Sequence, residues 1–282
     1  ALLETGEDAA LREYLSFTLD ISAAYGLKCI NPCGGMTSDR LSPEKMIDRL
    51  IDANEYLDLP HALHLHHPFL GQRDAWRMVV DTVNRARGRR LHLAHLQFYA
   101  YKTDNKGRLT TASQELARCL NDNPQLTSDV GAVVFGPAEV VTADAGFAEY
   151  LSGRRACSGL MKQQWEEDGT LSALPLEYKR SYMGSIQWLA GLELLLLTRN
   201  PEQCMLTTDY PNGGSFRAYP YLIQLLMDKA FRDAEAGKLN SKALSRSCLK
   251  SIQREFSLSE IARLTRSGPA SSLGLANKGQ LG

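Results

Sequence analysis

A chain of 282 residues with 44% apolar and 23% charged residues has the composition of a folded globular protein, which excludes wholesale disorder. Its 32 basic residues balance its 32 acidic residues, so no excess of positive charge points to nucleic acid or to an anionic membrane. The six cysteines are scattered without a C-x-x-C pair, and we therefore expect a reduced, cytoplasmic protein.

Short apolar runs alternate with amphipathic runs along most of the chain, after an opening helical pattern that we interpret as a sign of a fragment. The predicted strands are residues 27–31, 62–66, 91–98, 128–135 and 203–208. The predicted helices are residues 43–57, 74–87 and 112–121, and Ser42 is the expected N-cap of the first one. This alternation predicts an α/β fold with a parallel sheet and helices outside it.

Three later segments need separate interpretation. Residues 152–185 have weak periodicity and separate the last two predicted strands widely, so we expect an insertion that covers a site at the C-terminal edge of the sheet. Residues 188–197 are the longest apolar run, too short to cross a bilayer, and predict a core helix. Residues 240–264 have a helical pattern, and those after them have the composition of turns.

All six histidines lie between residues 61 and 95, and histidine is the commonest metal ligand among side chains. Side chains alternate along a strand, so His64 and His66 share one face of their strand, and His66 stands at its end. By the same rule His95 lies close to the exit of the next strand, and His92 falls on the opposite face from His95. The last inward residue of a barrel strand lies at the catalytic rim, so His66 and His95 are candidate metal ligands.

Lys28 and Asp209 are further candidates. Asp209 ends the last predicted strand before a glycine-containing loop, where it could bind a metal, act as a general base or only cap the turn. Lys28 lies inside the first predicted strand, where a lysine is either exposed at a sheet edge or buried for a purpose. Burial would lower its pKa and favour the neutral amine, which reacts with carbon dioxide to give a carbamate able to bridge two metals.

The remaining histidines have plainer interpretations. His61 and His92 are expected to be hydrogen-bonded core residues, and His67 is expected to be an exposed bystander. His64 is a candidate for supporting a ligand or for contacting a substrate.

Six stretches of the sequence are specific in combination: AYGLKCINPCGG, LPHALHLHHPFLG, HLAHLQFYAY, QWLAGLELLLLTRN, LTTDYPNGGSF and REFSLSEIARLTRSGPASSLGL. They resemble the amidohydrolase superfamily and, within it, the A subunits of formylmethanofuran dehydrogenase and of the bacterial formyltransferase/hydrolase complex. The resemblance implies the (β/α)8 TIM-barrel fold of amidohydrolases, of which this chain would cover about strands four to eight. Residues 1–268 would be the C-terminal part of the barrel, and residues 269–282 an exit segment toward a small β domain outside the chain.

The same resemblance implies a site with two zinc ions, whose first His-x-His pair would lie outside this chain. Carboxylated Lys28 would bridge the ions, His66 and His95 would bind one of them, and Asp209 would bind the other and serve as the catalytic base. The expected substrate contacts are His64, Asn31 and Asn212.

The chain departs from the family's pattern in the loops around the site. Pro68 and Phe69 stand where the family usually has an Asn-Asn pair, and Tyr210 stands where it often has histidine. Cys33 interrupts what would be an Asn-Pro-Gly-Gly loop. The substrate-side loops therefore differ from the family's pattern, while the expected metal ligands are present.

The reaction that the resemblance implies is hydrolysis of N-formylmethanofuran, or of its bacterial methylofuran analogue, to formate and the free amine. The expected partners are the other subunits of such a complex in tetrahydromethanopterin-linked one-carbon metabolism, with no nucleic acid and no membrane. Three alternatives stay open: a dehydrogenase subunit that condenses formate with methanofuran, a metal-free scaffold subunit, and a hydrolase of cyclic amides.

Overall fold

A computed structural model describes residues 7–30, 41–68, 70–135, 138–142, 172–176, 181–208 and 216–279. The strands in these ranges are β1 (Lys28–Ile30), β2 (Leu63–His66), β3 (Leu91–Leu93), β4 (Tyr101–Thr103), β5 (Leu109–Thr111), β6 (Leu126–Gly131), β7 (Ala138–Thr142), β8 (Ser172–Leu176) and β9 (Cys204–Thr207). Five of them form one parallel sheet in the order β1-β2-β3-β6-β9. These five correspond to the five predicted strands, so the predicted parallel sheet is confirmed.

Helices connect the strands of this sheet, as the alternating pattern predicts. The α-helices in the described ranges are α1 (Asp8–Ser22), α2 (Pro43–Tyr56), α3 (Trp76–Ala86), α4 (Ser113–Asp122), α5 (Tyr182–Leu197), α6 (Tyr219–Met227), α7 (Lys229–Ala236), α8 (Ser241–Leu244), α9 (Leu258–Ala262) and α10 (Gly268–Ser272). The Ser42 hydroxyl accepts a hydrogen bond from the backbone N–H of Lys45, and Pro43 is the first helical residue, as expected at a helix start. The predicted cap of α2 is therefore confirmed.

Helix α5 is the predicted core helix, and it is buried on nearly all sides. Gly191 lies so close to Phe135 that an added Cβ would stand 3.1 Å from the aromatic ring. The carboxyl group of Glu193 is fully buried and accepts hydrogen bonds from the Thr111 hydroxyl at 2.6 Å and from the Cys248 backbone N–H at 3.0 Å. Burial raises the pKa of Glu193 above its usual value, although these donors act in the opposite direction. Gly191 and Glu193, which interrupt the run of large apolar residues, are thus both accommodated inside the core.

Two antiparallel pairs of strands were not predicted. Strands β4 and β5 form a hairpin between β3 and α4, with Tyr101 opposite Thr111. Strands β7 and β8 pair with Thr142 opposite Ser172, and β8 falls within the segment of weak periodicity. A three-residue strand contains too few alternations to be separated from a loop by its pattern.

Other expectations about element boundaries were wrong. The predicted strand over residues 91–98 ends at Leu93 and is followed by a 3₁₀ helix (Leu96–Tyr99), because the backbone turns at His95. A second 3₁₀ helix (Ala132–Phe135) replaces the end of the predicted strand over residues 128–135. The tail predicted as turns contains α10. In all three places a short helical turn interrupts a pattern that propensity alone does not resolve.

None of the helices in the described ranges combines the length and the apolar character needed to cross a bilayer. The boundary predicted at residue 268 lies within the last helical segment, and the division into a barrel part and an exit segment stays a prediction.

Candidate active site

Four polar residues form a row across neighbouring strands of the parallel sheet. Lys28 pairs with His64, His64 with His92, and His92 with Thr127. The alternation of β2 explains the position of its histidines, since Leu63 and Leu65 are fully buried and His64 and His66 point to the other face. The sheet therefore has an apolar face toward the helices and a face that carries imidazoles.

His66 and His95 meet at the C-terminal ends of β2 and β3. The Nδ1 atom of His66 lies 2.7 Å from the Nε2 atom of His95, and the ring centroids are 4.5 Å apart. The opposite ring nitrogens, Nε2 of His66 and Nδ1 of His95, are buried and have no hydrogen-bond partner among the described residues. Buried polar atoms without a partner are uncommon, so these two nitrogens mark a place where a ligand or an ion fits.

The backbone of His95 explains how its ring reaches His66. His95 has φ 38° and ψ 54°, a left-handed conformation that is unfavourable for a residue with a Cβ. Strand β3 has already ended at Leu93, so the alternation of side chains no longer applies at His95. The expectation that His92 and His95 fall on opposite faces was therefore wrong, because the His95 ring contacts His66 and the His92 ring contacts His64, which lies on the same face of β2 as His66.

The prediction from sequence missed Asp129 as a site residue. It lies on β6, where one carboxylate oxygen accepts a hydrogen bond from the His92 ring at 2.9 Å and the other accepts from the His95 backbone N–H at 3.0 Å. Burial raises the pKa of Asp129, but the hydrogen bond from His92, the nearby charges of His92 and His95 and the hydrogen bond from the His95 backbone together outweigh it, so the pKa lies below its usual value. The sequence did contain a signal for this residue. Thr127 and Asp129 are two residues apart in a strand of otherwise buried residues, so they share one face of β6 as His64 and His66 share one face of β2.

His61, two residues before β2, is hydrogen-bonded to His64 of the same cluster of histidines. Its Nδ1 atom lies 2.5 Å from the carbonyl oxygen of Ser272, and its Nε2 atom lies 3.2 Å from Nδ1 of His64. A carbonyl only accepts, so Nδ1 of His61 carries a hydrogen, and in the neutral ring Nε2 then accepts from His64. His64 consequently presents an Nε2 atom without a hydrogen.

Burial keeps His64, His66 and His95 neutral at pH 7. It lowers the pKa of His66 to about 2, and the nearby charges of His95 and Lys28 act in the same direction. Burial likewise lowers the pKa of His64 to about 3, with His92 adding to the effect. It lowers the pKa of His95 to about 4, against the opposing charge of Asp129. Neutral imidazoles have the free electron pair that a metal ligand requires.

The other predicted site residues have different outcomes. Lys28 is exposed on β1, an outer strand of the described sheet, and its role as a carbamate ligand stays a prediction. Asp209, Asn31 and Asn212 lie outside the described residues, and their roles stay predictions. His67 is buried, not exposed as expected, because its ring is hydrogen-bonded to Thr82 at 2.9 Å.

The donor atoms on this face fit a metal ion in chemical type. Two neutral imidazoles on neighbouring strands have buried nitrogens without a partner, and imidazole is a common ligand of zinc. Within the part of the chain that the structure describes, no three His, Cys, Asp or Glu side chains converge as a complete metal site. His66 and His95 would supply at most two ligands, so a metal site here would need further ligands from elsewhere.

Imidazoles at the C-terminal ends of parallel strands are typical of metal-dependent hydrolases built on α/β barrels. The chain belongs to the amidohydrolase family, whose model matches residues 1–282.

Within this family, the chain is 39% identical to the A subunit of the formyltransferase/hydrolase complex Fhc of Methylorubrum extorquens, over 99% of this chain and 55% of that protein. It is 30% identical to the protein FwdA of Methanocaldococcus jannaschii, over 99% of this chain and 54% of that protein. The chain thus spans about half the length of these curated relatives. The resemblance to such A subunits that the six stretches predict is confirmed.

A solved structure shares the fold. The X-ray crystal structure of the formyltransferase/hydrolase complex FhcABCD from Methylorubrum extorquens, in complex with methylofuran, matches with a TM-score of 0.85 and 37% identity. The match covers 97% of this chain and 54% of that chain. The predicted fold class, an α/β amidohydrolase fold, is confirmed, and the open five-stranded sheet is consistent with part of a barrel.

Proposed function

We propose that this chain belongs to a binuclear-zinc amidohydrolase that cleaves an N-formyl group from an amine of the methylofuran or methanofuran type. The products are formate and the free amine. The observation that carries the proposal is the His66–His95 pair, whose outer nitrogens are buried without partners at the ends of two parallel strands. The identity of 39% to the A subunit of Fhc supports the choice of a formamide as substrate class.

The proposed roles follow from the chemistry of the side chains. His66 and His95, which are neutral, would hold one zinc ion, and the amine of Lys28 would combine with carbon dioxide and release a proton to give a carbamate, an anionic oxygen ligand. Zinc, when bound, supplies a Lewis acid that polarises the formyl oxygen and makes water more acidic. Asp209 takes the proton of the attacking water and delivers it to the departing amine nitrogen.

The remaining residues act on the substrate. His64 presents an Nε2 atom without a hydrogen and accepts a hydrogen bond from the substrate, while Asn31 and Asn212, which follow β1 and β9 in the sequence, also contact the substrate. The proposal includes the other subunits of a formyltransferase/hydrolase complex as partners and a cytoplasmic location.

Zinc analysis of the full-length protein, purified with its partner subunits, tests this proposal. We expect about two zinc ions per copy of the full-length protein, and His66→Ala and Asp209→Asn should each lower formamide hydrolysis by more than the roughly 10–100-fold that outer residues of zinc sites cost. The matched control is His67→Gln, a buried histidine bonded to Thr82, which should keep zinc and activity. A zinc-free wild-type complex, or full activity in Asp209→Asn, would mean that the chain is a scaffold.

A further inference from the structure

Asp129 contacts two histidines of the site through different oxygens. Its Oδ1 atom accepts a hydrogen bond from the backbone N–H of His95, and its Oδ2 atom accepts from Nε2 of His92. The Asp129 side chain is 13% exposed. Both oxygens are therefore committed to neighbours on β3 and the turn that follows it.

The contact with His95 lies at the point where the backbone is strained. His95 is one of five non-glycine residues with positive φ in the described ranges, and its left-handed turn directs its ring toward His66. A left-handed residue persists only where surrounding contacts hold it, and the Asp129 carboxylate holds the N–H of this residue.

We propose that Asp129 is a positioning residue, which holds the left-handed turn at His95 and thereby places the His95 ring beside His66 as a metal ligand. The inference rests on the proposed function, in which His66 and His95 bind zinc. It assigns Asp129 no direct contact with zinc or substrate.

The orientation of Asp129 is itself fixed by His92. A carboxylate only accepts hydrogen bonds, so Nε2 of His92 carries a hydrogen, and its Nδ1 atom is hydrogen-bonded to the Thr127 hydroxyl at 2.9 Å. The chain of contacts runs from Thr127 through His92 and Asp129 to His95. This arrangement explains why a buried histidine that binds no metal lies within the row of site residues.

Three variants of the full-length protein in its complex separate this role from a general effect on folding. Asp129→Ala removes both acceptors, Asp129→Asn keeps an oxygen for the His95 N–H, and Thr127→Val removes only the hydroxyl behind His92. The measurements are zinc affinity, the absorption spectrum of the cobalt-substituted complex, and the structure of each variant.

We expect Asp129→Ala to weaken zinc binding by roughly 10–100-fold, as the loss of other outer-shell partners does, and to shift the cobalt spectrum. In its structure His95 should leave the left-handed region and its ring should move away from His66. Asp129→Asn and Thr127→Val should stay within about threefold of wild type, because the acceptor for the His95 N–H remains.

Unchanged zinc affinity and an unmoved His95 in Asp129→Ala would overturn the inference. If that variant fails to assemble, Asp129→Asn decides, because loss of zinc in this variant would mean that the carboxylate acts by its charge and not by holding the turn. A wild-type complex without zinc would instead overturn the proposed function, and the position of His95 in the variant structures would still decide the role of Asp129.

Discussion

Asp129 and Glu193 are both buried carboxylic acids that accept two or more hydrogen bonds, yet their pKa values move in opposite directions. Burial opposes ionisation in both, but Asp129 has a histidine ring among its donors, whereas Glu193 has a hydroxyl and a backbone N–H. Asp129 lies on the face that carries the imidazoles, and Glu193 lies inside the core helix. The partners of a buried carboxyl group, more than its burial, distinguish a site residue from a structural one.

The largest expected effect on stability comes from Glu193→Leu. The substitution leaves the Thr111 hydroxyl and the Cys248 N–H buried without an acceptor, and each such donor costs about 1–3 kcal/mol. We expect the free energy of unfolding to fall by about 2–4 kcal/mol in denaturant titrations, with zinc content unchanged.

The matched control is Glu13→Leu on the exposed part of α1, where the change should be within about 0.5 kcal/mol. Loss of zinc in Glu193→Leu would contradict the division between a structural and a functional carboxyl group.

A pair of threonine variants gives a smaller difference. Thr111→Val removes a hydroxyl that is hydrogen-bonded to the Glu193 carboxyl group, and Thr127→Val removes one that is hydrogen-bonded to the Nδ1 atom of His92. We expect losses of about 2 kcal/mol and about 1 kcal/mol respectively, because the carboxyl group of Glu193 is fully buried, whereas Thr127 is partly exposed and water can replace its hydroxyl. Thermal unfolding of the two variants shows which loses more stability. Equal losses would contradict the distinction between the surroundings of Glu193 and those of His92.

The smallest expected effect is a dependence of stability on pH. The folded-state pKa of Glu193 is raised, so its contribution is fully present below its ordinary pKa and is lost as pH rises through the folded value. Glu193→Gln should remove that loss, so its unfolding free energy relative to wild type should improve above pH 4.5, by about 1 kcal/mol for each unit of pKa shift. If the unfolding free energy of Glu193→Gln instead falls relative to that of wild type as pH rises, the pKa of Glu193 is lowered on folding and not raised.

Most of the fold and half of the described site could be predicted because they depend on periodicity. The apolar alternation of β2 places His64 and His66 on one face, and the repeated strand and helix pattern predicts the parallel sheet. His66 and His95 were expected to meet, and they do.

The parts of the fold and of the site that were not predicted depend on local backbone geometry, which the hydrophobic pattern of the sequence does not encode. The left-handed conformation of His95 has no glycine or asparagine to announce it, so β3 was extended too far and His92 was assigned to the wrong side. Asp129 was missed because its spacing of two residues from Thr127 is a weak signal by itself, and its partners lie on β3 and in the turn that follows it.

The hydrogen bond between His61 and Ser272 joins residues 211 positions apart. Contacts of such separation form late, since the entropy of closing the loop is lost before the contact is gained. On a ribosome, α10 emerges after every strand of the sheet, so the His61 ring acquires its acceptor only when translation of this region is complete. The hydrogen that His64 donates to His61 thus depends on the carbonyl of Ser272, and a nascent chain that lacks Ser272 has nothing at that position to set the tautomer of His61.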